Sequence, residues 1–479
     1  MIRKILPVQL CRTSLLGLSL CFGHAMAAPG DLDLTFGQDG VMLVNLNGGQ
    51  EHFSALLAQP DGSVLAAGAL YHRHPVEAVQ SGYDMSIVRV LRDGQLDPGF
   101  GVDGLVQVDT GDDSDAGYGL AQQADGKLLV AGRLDSGAYG DFGVARLNPD
   151  GTLDTSFGEI DGPQRRGYRR INIGPTAFIN DEARAVALQS DGRIVVAGVG
   201  YAMDGSFNYP RFAVARFTTS GDLDTSFGSG GTMVAPATAA EVSEYVTGIA
   251  TRRDGSMPND RITVVGYVFA RSTAVVRRYL SNGQPDTSFG SGGELQITES
   301  MVNGQRQGMT RIDAGVWTDA GKLVVVGTGG DRGFVFQRFN ANGSLDTTFG
   351  SGGRVLVKFS GVTEYDEPAS ITLLDDGRIV AAGYASMTYG SAAASKDFAV
   401  VQLLPDGTPD PAFGDGHGRS TYPLSMAADQ AFAIAATADG DLLAAGTAND
   451  DEYTGPGDSR RGAFMRLQGD RRLFRDSFE

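Results

Sequence analysis

Short apolar runs that follow a glycine-containing turn recur seven times along the chain. In order, they are QPDGSVLAAG, QADGKLLVAG, QSDGRIVVAG, RRDGSMPNDRITVVG, TDAGKLVVVG, LDDGRIVAAG and TADGDLLAAG. An Asp-Gly or Ala-Gly step beside a short β-rich run is typical of a tight hairpin, because glycine adopts the positive φ that such turns need. The pattern therefore predicts antiparallel strand pairs throughout the chain.

A second motif, LDxxFG, runs in step with the first. Its copies are LDLTFG (32–37), LDPGFG (96–101), LDTSFG (153–158 and 223–228), PDTSFG (285–290), LDTTFG (345–350) and PDPAFG (409–414). Successive phenylalanines lie 57 to 70 residues apart. Self-similarity at such a period indicates a repeat architecture, here with seven equivalent units.

Four strand-like segments fit within each period. In the third unit they are 169–173, 183–189, 193–197 and 212–217. Four antiparallel strands repeated around an axis form the blades of a propeller. We therefore predict an all-β fold, a single seven-bladed β-propeller of four-stranded antiparallel blades over residues 28–469, with residues 470–479 as a short C-terminal tail.

The repeats also resemble a known family. LDTSFGSGG, QSDGRIVVAG and FAVARFTTSGDLDTSFG together are similar to the delta-60 repeats of exported bacterial proteins. The fourth and seventh repeats depart from this pattern. The resemblance implies a propeller-like repeat protein that is exported or held at the cell surface, and it brings no established catalytic residue.

The two ends of the repeat array complement each other. The first LDxxFG carries Asp33 without a preceding strand, whereas the last strand carries Arg466 without a following LDxxFG. An open sheet edge is a liability that a closed ring removes. We predict that the N-terminal segment docks beside the seventh blade and places Asp33 near Arg466.

An arginine on the last strand of each unit shares one face with apolar residues and needs a partner there. The aspartate of LDxxFG follows a few residues later, so we predict one Arg–Asp pair per blade. The predicted members are Arg89, Arg146, Arg216, Arg278, Arg338 and Arg466, with Asp97, Asp154, Asp224, Asp286, Asp346 and Asp33. The sixth unit has Gln402 in place of arginine, so Asp410 is expected to find other donors. Copies related by rotation cannot share one active site, and a structural role is predicted.

Composition and charge narrow the compartment and the partners. Residues 1–27 have a basic start, an apolar stretch and Ala25-Met26-Ala27, the features of a cleaved signal peptide. We expect a secreted, periplasmic or cell-surface protein, and a monomer. Both cysteines of the 479-residue chain lie in this segment, so no disulfide is expected in the mature protein.

The formal net charge of −18 disfavours nucleic acid as a partner, because the phosphate backbone would be repelled. No later stretch is long and apolar enough for a membrane span.

Function is expected where the units differ, because loops on a rigid frame carry binding sites. The connection between the last two strands of each unit changes most, and we call the side from which it leaves the variable face. Candidate ligand-binding residues on this face are Tyr71, His72, His74, Tyr83, Tyr139, Tyr201, Tyr209, Tyr384, Tyr389 and Tyr453. Acidic clusters accompany them at 109–115 and 364–367.

No motif for a nucleotide, a catalytic serine or a zinc protease occurs. His72 and His74 lack a third zinc ligand at a recognisable spacing, and Asp113-x-Asp115-x-Gly117 lacks the glutamate of a calcium loop. We therefore predict no cofactor, with calcium left open. The leading hypothesis is a non-enzymatic propeller that binds a glycan, a peptide or a protein partner through the variable face. The alternative is a polysaccharide-cleaving lyase or hydrolase that uses the funnel of the propeller.

Overall fold

The computed structural model describes residues 28–46, 50–72, 82–110, 114–135, 139–173, 180–204, 207–235, 242–253, 260–302, 305–359, 365–387, 395–425, 427–449 and 460–470. These residues form seven four-stranded antiparallel sheets, which we call blades 1 to 7. The predicted all-β, seven-bladed propeller is confirmed.

The first strand of each blade contacts the first strands of the two adjacent blades, so these seven innermost strands surround the axis. In blade order they are Glu51–Ala58, Ala116–Gln122, Glu182–Leu188, Glu244–Arg253, Arg311–Trp317, Asp366–Leu373 and Gln430–Ala436. The second strands are Val64–His72, Leu128–Asp135, Ile194–Asp204, Asp260–Val268, Leu323–Thr328, Ile379–Met387 and Leu442–Asn449.

The outer half of each blade consists of a third strand and a short outermost strand. The third strands are Gly82–Val90, Gly140–Leu147, Phe207–Phe217, Thr273–Tyr279, Phe334–Phe339, Ser395–Leu403 and Arg460–Leu467. The outermost strands are Leu105–Val108, Tyr168–Ile171, Thr232–Val234, Glu294–Ile297, Arg354–Val357, Arg419–Tyr422 and, for blade 7, Val41–Val44.

Two small hairpins and one helical turn complete the described elements. The hairpins pair Ile160–Asp161 with Gln164–Arg165 and Ser300–Val302 with Gln305–Gln307. The turn is the 3-10 segment Phe269–Arg271. Within the described part of the chain, no helix has the length and apolar character to cross a membrane.

The grouping of strands into blades differs from the sequence prediction by one strand. The segment placed first in the third unit, Tyr168–Ile171, instead pairs with Gly140–Leu147 and closes blade 2 as its outermost strand. The LDxxFG turn reverses the chain tightly, so the strand after it folds back onto the strand before it. Periodicity predicted the strands but not this pairing, which depends on contacts between strands.

The ring closes as predicted. Val41–Val44 pairs antiparallel with the third strand of blade 7, with Val41 opposite Met465 and Val44 opposite Gly462. The amide of Asp33 donates a hydrogen bond of 2.9 Å to the carbonyl oxygen of Arg466. The sheet of blade 7 is therefore built from both ends of the described chain.

The phenylalanine of each LDxxFG copy is buried between neighbouring blades. The turn of the following blade packs against it at a glycine. At Gly221, which has a φ of +83°, an added Cβ would lie 2.7 Å from both the amide nitrogen of Gly158 and a ring atom of Phe157. Glycine recurs here because a larger residue would force the blades apart.

Candidate functional site at the axial mouth

The predicted Arg–Asp pairs lie within salt-bridge distance in six blades. The N–O distances are 2.5 Å for Arg89–Asp97, 2.7 Å for Arg146–Asp154, 3.0 Å for Arg216–Asp224, 2.9 Å for Arg278–Asp286, 2.6 Å for Arg338–Asp346 and 3.4 Å for Arg466–Asp33. Each arginine also donates to a backbone carbonyl of the next blade, for example from Arg146 to Thr219 and from Arg466 to Arg92. The pairs thus link neighbouring blades.

Two further contacts support a structural role for these pairs. Arg146 lies over the ring of Phe157, the LDxxFG phenylalanine, at 4.4 Å. Burial alone would raise the pKa of Asp154, but hydrogen bonds from Lys127 and Ser156 and the charge of Arg146 hold that pKa well below its usual range. The carboxylate therefore stays ionised in the fold.

Blade 6 compensates for its missing arginine. The Gln402 amide donates to Asp410 at 2.7 Å, and Arg378, directly before the second strand, lies 3.4 Å from the same carboxylate. Lys127 of blade 2 and Lys322 of blade 5 occupy the equivalent position and pair with their own LDxxFG aspartates. This second cation directly follows the glycine of the Asp-Gly or Ala-Gly turn, and it was not predicted from the sequence.

The predicted ligand-binding tyrosines separate into two groups. Tyr83 and Tyr384 contact residues at the start of an innermost strand, since Tyr83 donates to Gln50 at 2.5 Å and Tyr384 interacts with Glu367. The ring of Tyr71 meets that of Tyr83 at 5.2 Å.

Three other predicted tyrosines are half-buried on the variable face. Burial and the nearby Tyr245 raise the pKa of Tyr201. Tyr201 therefore lies close to the innermost strand of blade 4, which contains Tyr245. Tyr139 and Tyr209 line neither of the two axial cavities described below. His74, Tyr389 and Tyr453 fall outside the described residues, as does the side chain of His72.

A β-bulge interrupts every innermost strand at the same step. The bulged residues form what we call the axial ring, Ser54, Tyr118, Arg184, Thr247, Asp313, Ala369 and Phe432. They line a channel of about 490 Å³ to which all seven blades contribute. Bulges redirect side chains locally, and here they present seven different side chains at equivalent positions.

A second set of differing residues lies two positions earlier, toward the variable face. We call it the mouth ring, and it comprises His52, Ala116, Glu182, Tyr245, Arg311, Glu367 and Gln430. Neither ring was predicted from the sequence, because differences between the units were expected in the loops and these residues lie on strands. Aligning the seven units on the glycine of the second strand would have revealed them.

Aromatic and charged contacts connect the two rings. Arg184 pairs with Glu182 and lies over the ring of Tyr118 at 4.3 Å. The His52 and Phe432 rings are 4.6 Å apart. Tyr245 stacks on Tyr267 of the second strand, with centroids 5.4 Å apart.

On the opposite side of the mouth, Arg311 connects blades 5 and 6. Its guanidinium lies 2.6 Å from Asp313 and 2.8 Å from Glu367. Burial raises the pKa of Asp313 to about 7, although the charge of Arg311 opposes this shift. Burial therefore makes Asp313 a weaker acid than an exposed aspartate.

A side cavity of about 430 Å³ opens beside the mouth at blades 1, 2, 3 and 7. His52, Tyr83, Tyr118 and Arg184 line it together with Arg133. Burial, then the charges of Arg460 and Arg184, lower the pKa of His52 to about 4, so the imidazole is neutral at pH 7. Burial also raises the pKa of Tyr118, which keeps its proton.

Asp115 and Asp366, from the predicted acidic clusters, are fully buried. Their carboxylates accept hydrogen bonds from backbone amides, including amides of the segments that precede their strands. Asp115 accepts the amides of Thr110 and Asp135, and Asp366 accepts that of Phe359. These two carboxylates therefore have a structural role instead of the expected ligand contact.

The carboxylates of Asp84, Asp109 and Asp115 approach one another within 4.8 Å, the one such acidic group found among the described residues. Acidic clusters of this kind are common without an ion, and this arrangement does not identify a metal.

Solved structures of similar shape include a virginiamycin B lyase from Staphylococcus aureus with quinupristin, with 10% identity and a TM-score of 0.45 over 89% of this chain and 98% of that chain. The polysaccharide lyase Uly1 has 9% identity and a TM-score of 0.40 over 90% and 93%. A GH43 endo-arabinanase from Bacillus licheniformis has 12% identity and a TM-score of 0.32 over 60% and 93%. We draw no residue correspondence from these similarities.

No curated protein matches the sequence. One family model does, described as a domain of unknown function (DUF5122) beta-propeller. It matches residues 59–100, 123–157, 189–227, 258–289, 321–349 and 374–413. Every matched segment ends at an LDxxFG phenylalanine, and all but 258–289 begin at an Asp-Gly or Ala-Gly step or within three residues before it. Six of the seven repeats thus match the DUF5122 beta-propeller family, and the fold is the propeller that its description names.

Proposed function

We propose that this chain is an exported propeller that binds a glycan or a peptide at the axial mouth of its variable face. The observation that carries the proposal is the composition of the mouth and axial rings. The seven innermost strands carry fourteen residues at these two equivalent positions, and their side chains include imidazole, phenol, guanidinium, carboxylate and hydroxyl groups. A scaffold needs identical residues at such positions, whereas a single asymmetric ligand needs different ones.

The chemistry of the rings suits a polar ligand with flat apolar faces. Tyr118, Tyr245 and Phe432 offer aromatic surface, while Arg184 and Arg311 are already paired with carboxylates. Binding sites typically combine aromatic walls with a few oriented polar groups. Sugar rings and peptide segments both fit this description. Export rests on the pattern of residues 1–27, and N-terminal sequencing of protein recovered outside the cytoplasm tests it.

Replacing Tyr245 by alanine should weaken ligand binding about tenfold while leaving the midpoint of thermal unfolding nearly unchanged. Truncating an aromatic side chain at the centre of a binding site removes a large share of the binding free energy. A glycan and peptide array of the purified wild-type chain identifies the ligand, and calorimetry then compares the variants.

The matched control is Phe269→Ala. Phe269 is an aromatic residue of the variable face, but it is 70% exposed on the 3-10 turn between the second and third strands of blade 4. Equal weakening by both substitutions would place the ligand outside the mouth. Wild-type protein that binds nothing on the array would contradict the proposal itself.

Polysaccharide cleavage is the second candidate, and His52 is the observation that favours it. A neutral imidazole beside the protonated phenol of Tyr118 supplies a base and an acid in one cavity. If this candidate holds, wild-type protein releases new chain ends from a polysaccharide and His52→Ala loses at least 100-fold in rate. Binding without turnover would exclude it.

A further inference from the structure

Two arginines in the wall of the side cavity keep hydrogen-bond donors that the protein does not use. Nε and Nη2 of Arg133 donate to Asp135 at 2.8 and 3.4 Å, while Nη1 makes no hydrogen bond within the described part of the chain. Nη2 of Arg184 donates to Glu182, and the described residues leave its Nε and Nη1 without an acceptor. The two side chains are 23% and 40% exposed, and none of these three nitrogens is fully buried. A ligand in the cavity can therefore reach them.

An imidazole and a phenol extend this set of donors. No hydrogen bond among the described residues involves a ring nitrogen of His52 or the hydroxyl of Tyr118, and none of these atoms is fully buried. The guanidinium of Arg184 lies over the Tyr118 ring at 4.3 Å. Burial and the charge of Glu182 raise the pKa of Tyr118, whereas the charges of Arg184 and Arg133 lower it. Both cations therefore lie near the same phenol.

The acceptors in the cavity wall are directed toward the protein itself. Glu51 and Asp115 line the cavity but are only 1% and 0% exposed, and each accepts a backbone amide at 2.9 Å. The side-chain oxygen of Gln50 accepts the hydroxyl of Tyr83. The cavity therefore offers a ligand many donors, several of them cationic, and few acceptors. Its complement is a group with negative charge and several acceptor atoms.

We propose that the side cavity binds a carboxylate group of the ligand, which makes that ligand an acidic glycan. This inference rests on the proposed function and chooses between the two ligand classes left open there. A guanidinium group binds a carboxylate through charge-assisted hydrogen bonds, which are stronger than neutral ones. A third arginine, Arg460, also lines the cavity, and its charge acts together with that of Arg184 on His52.

Hydrogen-bonding capacity favours a glycan over an acidic peptide. A peptide brings backbone N–H groups that need acceptors, whereas each hydroxyl of a sugar can accept from the donors of the cavity. The adjoining rings of His52 and Phe432, 4.6 Å apart, add aromatic surface for the apolar face of a sugar ring. A uronate residue combines a carboxylate, hydroxyl groups and such a face in one small unit.

The test uses hexamers of galacturonate, mannuronate and glucuronate, each compared with its methyl ester, which keeps the sugar ring and loses the charge. Calorimetry should show that the wild-type chain binds at least one uronate hexamer about tenfold more tightly than its ester. Arg184→Gln should weaken binding of that hexamer about tenfold and leave binding of the ester within about threefold. Arg184→Lys, which keeps the positive charge, should lose less affinity than Arg184→Gln.

Arg193→Gln is the matched control. Arg193 belongs to the same blade and is 43% exposed, but it follows the Asp-Gly turn on the opposite face. The control removes the same charge from the chain and should leave uronate binding unchanged. The unfolding midpoint of Arg184→Gln should stay close to the wild-type value, because exposed ion pairs contribute little to stability. A purely structural Arg184 would instead lower the midpoint and weaken binding of uronate and ester alike.

Four outcomes would overturn the inference, and they separate it from the proposed function. Wild-type protein that binds a neutral glycan but no uronate hexamer would leave the proposed function intact and refute the carboxylate site. Uronate binding that is equal in Arg184→Gln and wild type would do the same. Tighter binding of hexaglutamate than of any uronate, with the same loss in Arg184→Gln, would assign the carboxylate to a peptide. Wild-type protein that binds no glycan and no peptide would remove both claims.

Discussion

Deletion of residues 28–44 should destabilise the whole propeller, by at least about 5 kcal/mol. The deletion removes the outermost strand of blade 7 and the inter-blade wedge Phe36, which is 1% exposed. Loss of one buried phenylalanine side chain alone costs about 3–5 kcal/mol. The deletion also removes Asp33, the salt-bridge partner of Arg466, and leaves the third strand of blade 7 as an open sheet edge. Chemical denaturation of the truncated chain measures the loss.

A permuted chain is the matched control. The amide of Gln468 donates to the carbonyl oxygen of Asp31 at 2.8 Å, so the N-terminal segment begins close to the point where the last strand ends. Placing residues 28–46 after residue 470 through a short glycine linker should restore most of the stability. A truncated chain as stable as the parent, or a permuted chain as unstable as the truncated one, would contradict closure by this strand.

Substitution of Arg466 by glutamine should cost about 3–5 kcal/mol of unfolding free energy, because it removes one partner from a buried charge cluster. Arg466 is 0% exposed and lies within 3.4 Å of Asp33, 3.2 Å of Asp439 and 3.1 Å of Asp441. Without its guanidinium, these carboxylates lose the cation that they share and repel one another, although Arg92 still pairs with Asp439. Equilibrium denaturation at pH 7 and low salt measures the effect.

Arg89→Gln is the control, because it alters the equivalent pair in blade 1. The Arg89 side chain is 23% exposed, and Asp97 is its one salt-bridge partner among the described residues, so the expected loss is about 1 kcal/mol. Blade 6 tolerates Gln402 because Arg378 supplies a cation there. In blade 7 the position of Arg378 is occupied by Asp441, which adds a negative charge instead. An equal loss of unfolding free energy in Arg466→Gln and Arg89→Gln would contradict the prediction that the more buried arginine contributes more to stability.

The short repeated motifs of the sequence were enough to predict much of the propeller scaffold. The LDxxFG copies and the Asp-Gly turns set the number of blades, since each turn determines where its own strands reverse. The complementary ends around Asp33 and Arg466 predicted how the ring closes. The Arg–Asp partners followed from a charge placed on an apolar face, which needs a counter-charge wherever the strand packs.

The position of the candidate site could be identified only from the complete ring of seven blades. Periodicity does not reveal which strand of a repeat joins which sheet, so Tyr168–Ile171 was assigned to the wrong blade. Alternation along a strand also cannot predict the bulges that present Arg184 and Asp313 to the axis. Residues from seven units separated by about sixty positions meet there only when the ring is complete. The sequence by itself therefore determined the repeating frame, whose causes are local. The tertiary structure decided which of the differing residues share one mouth, because that depends on contacts between distant strands.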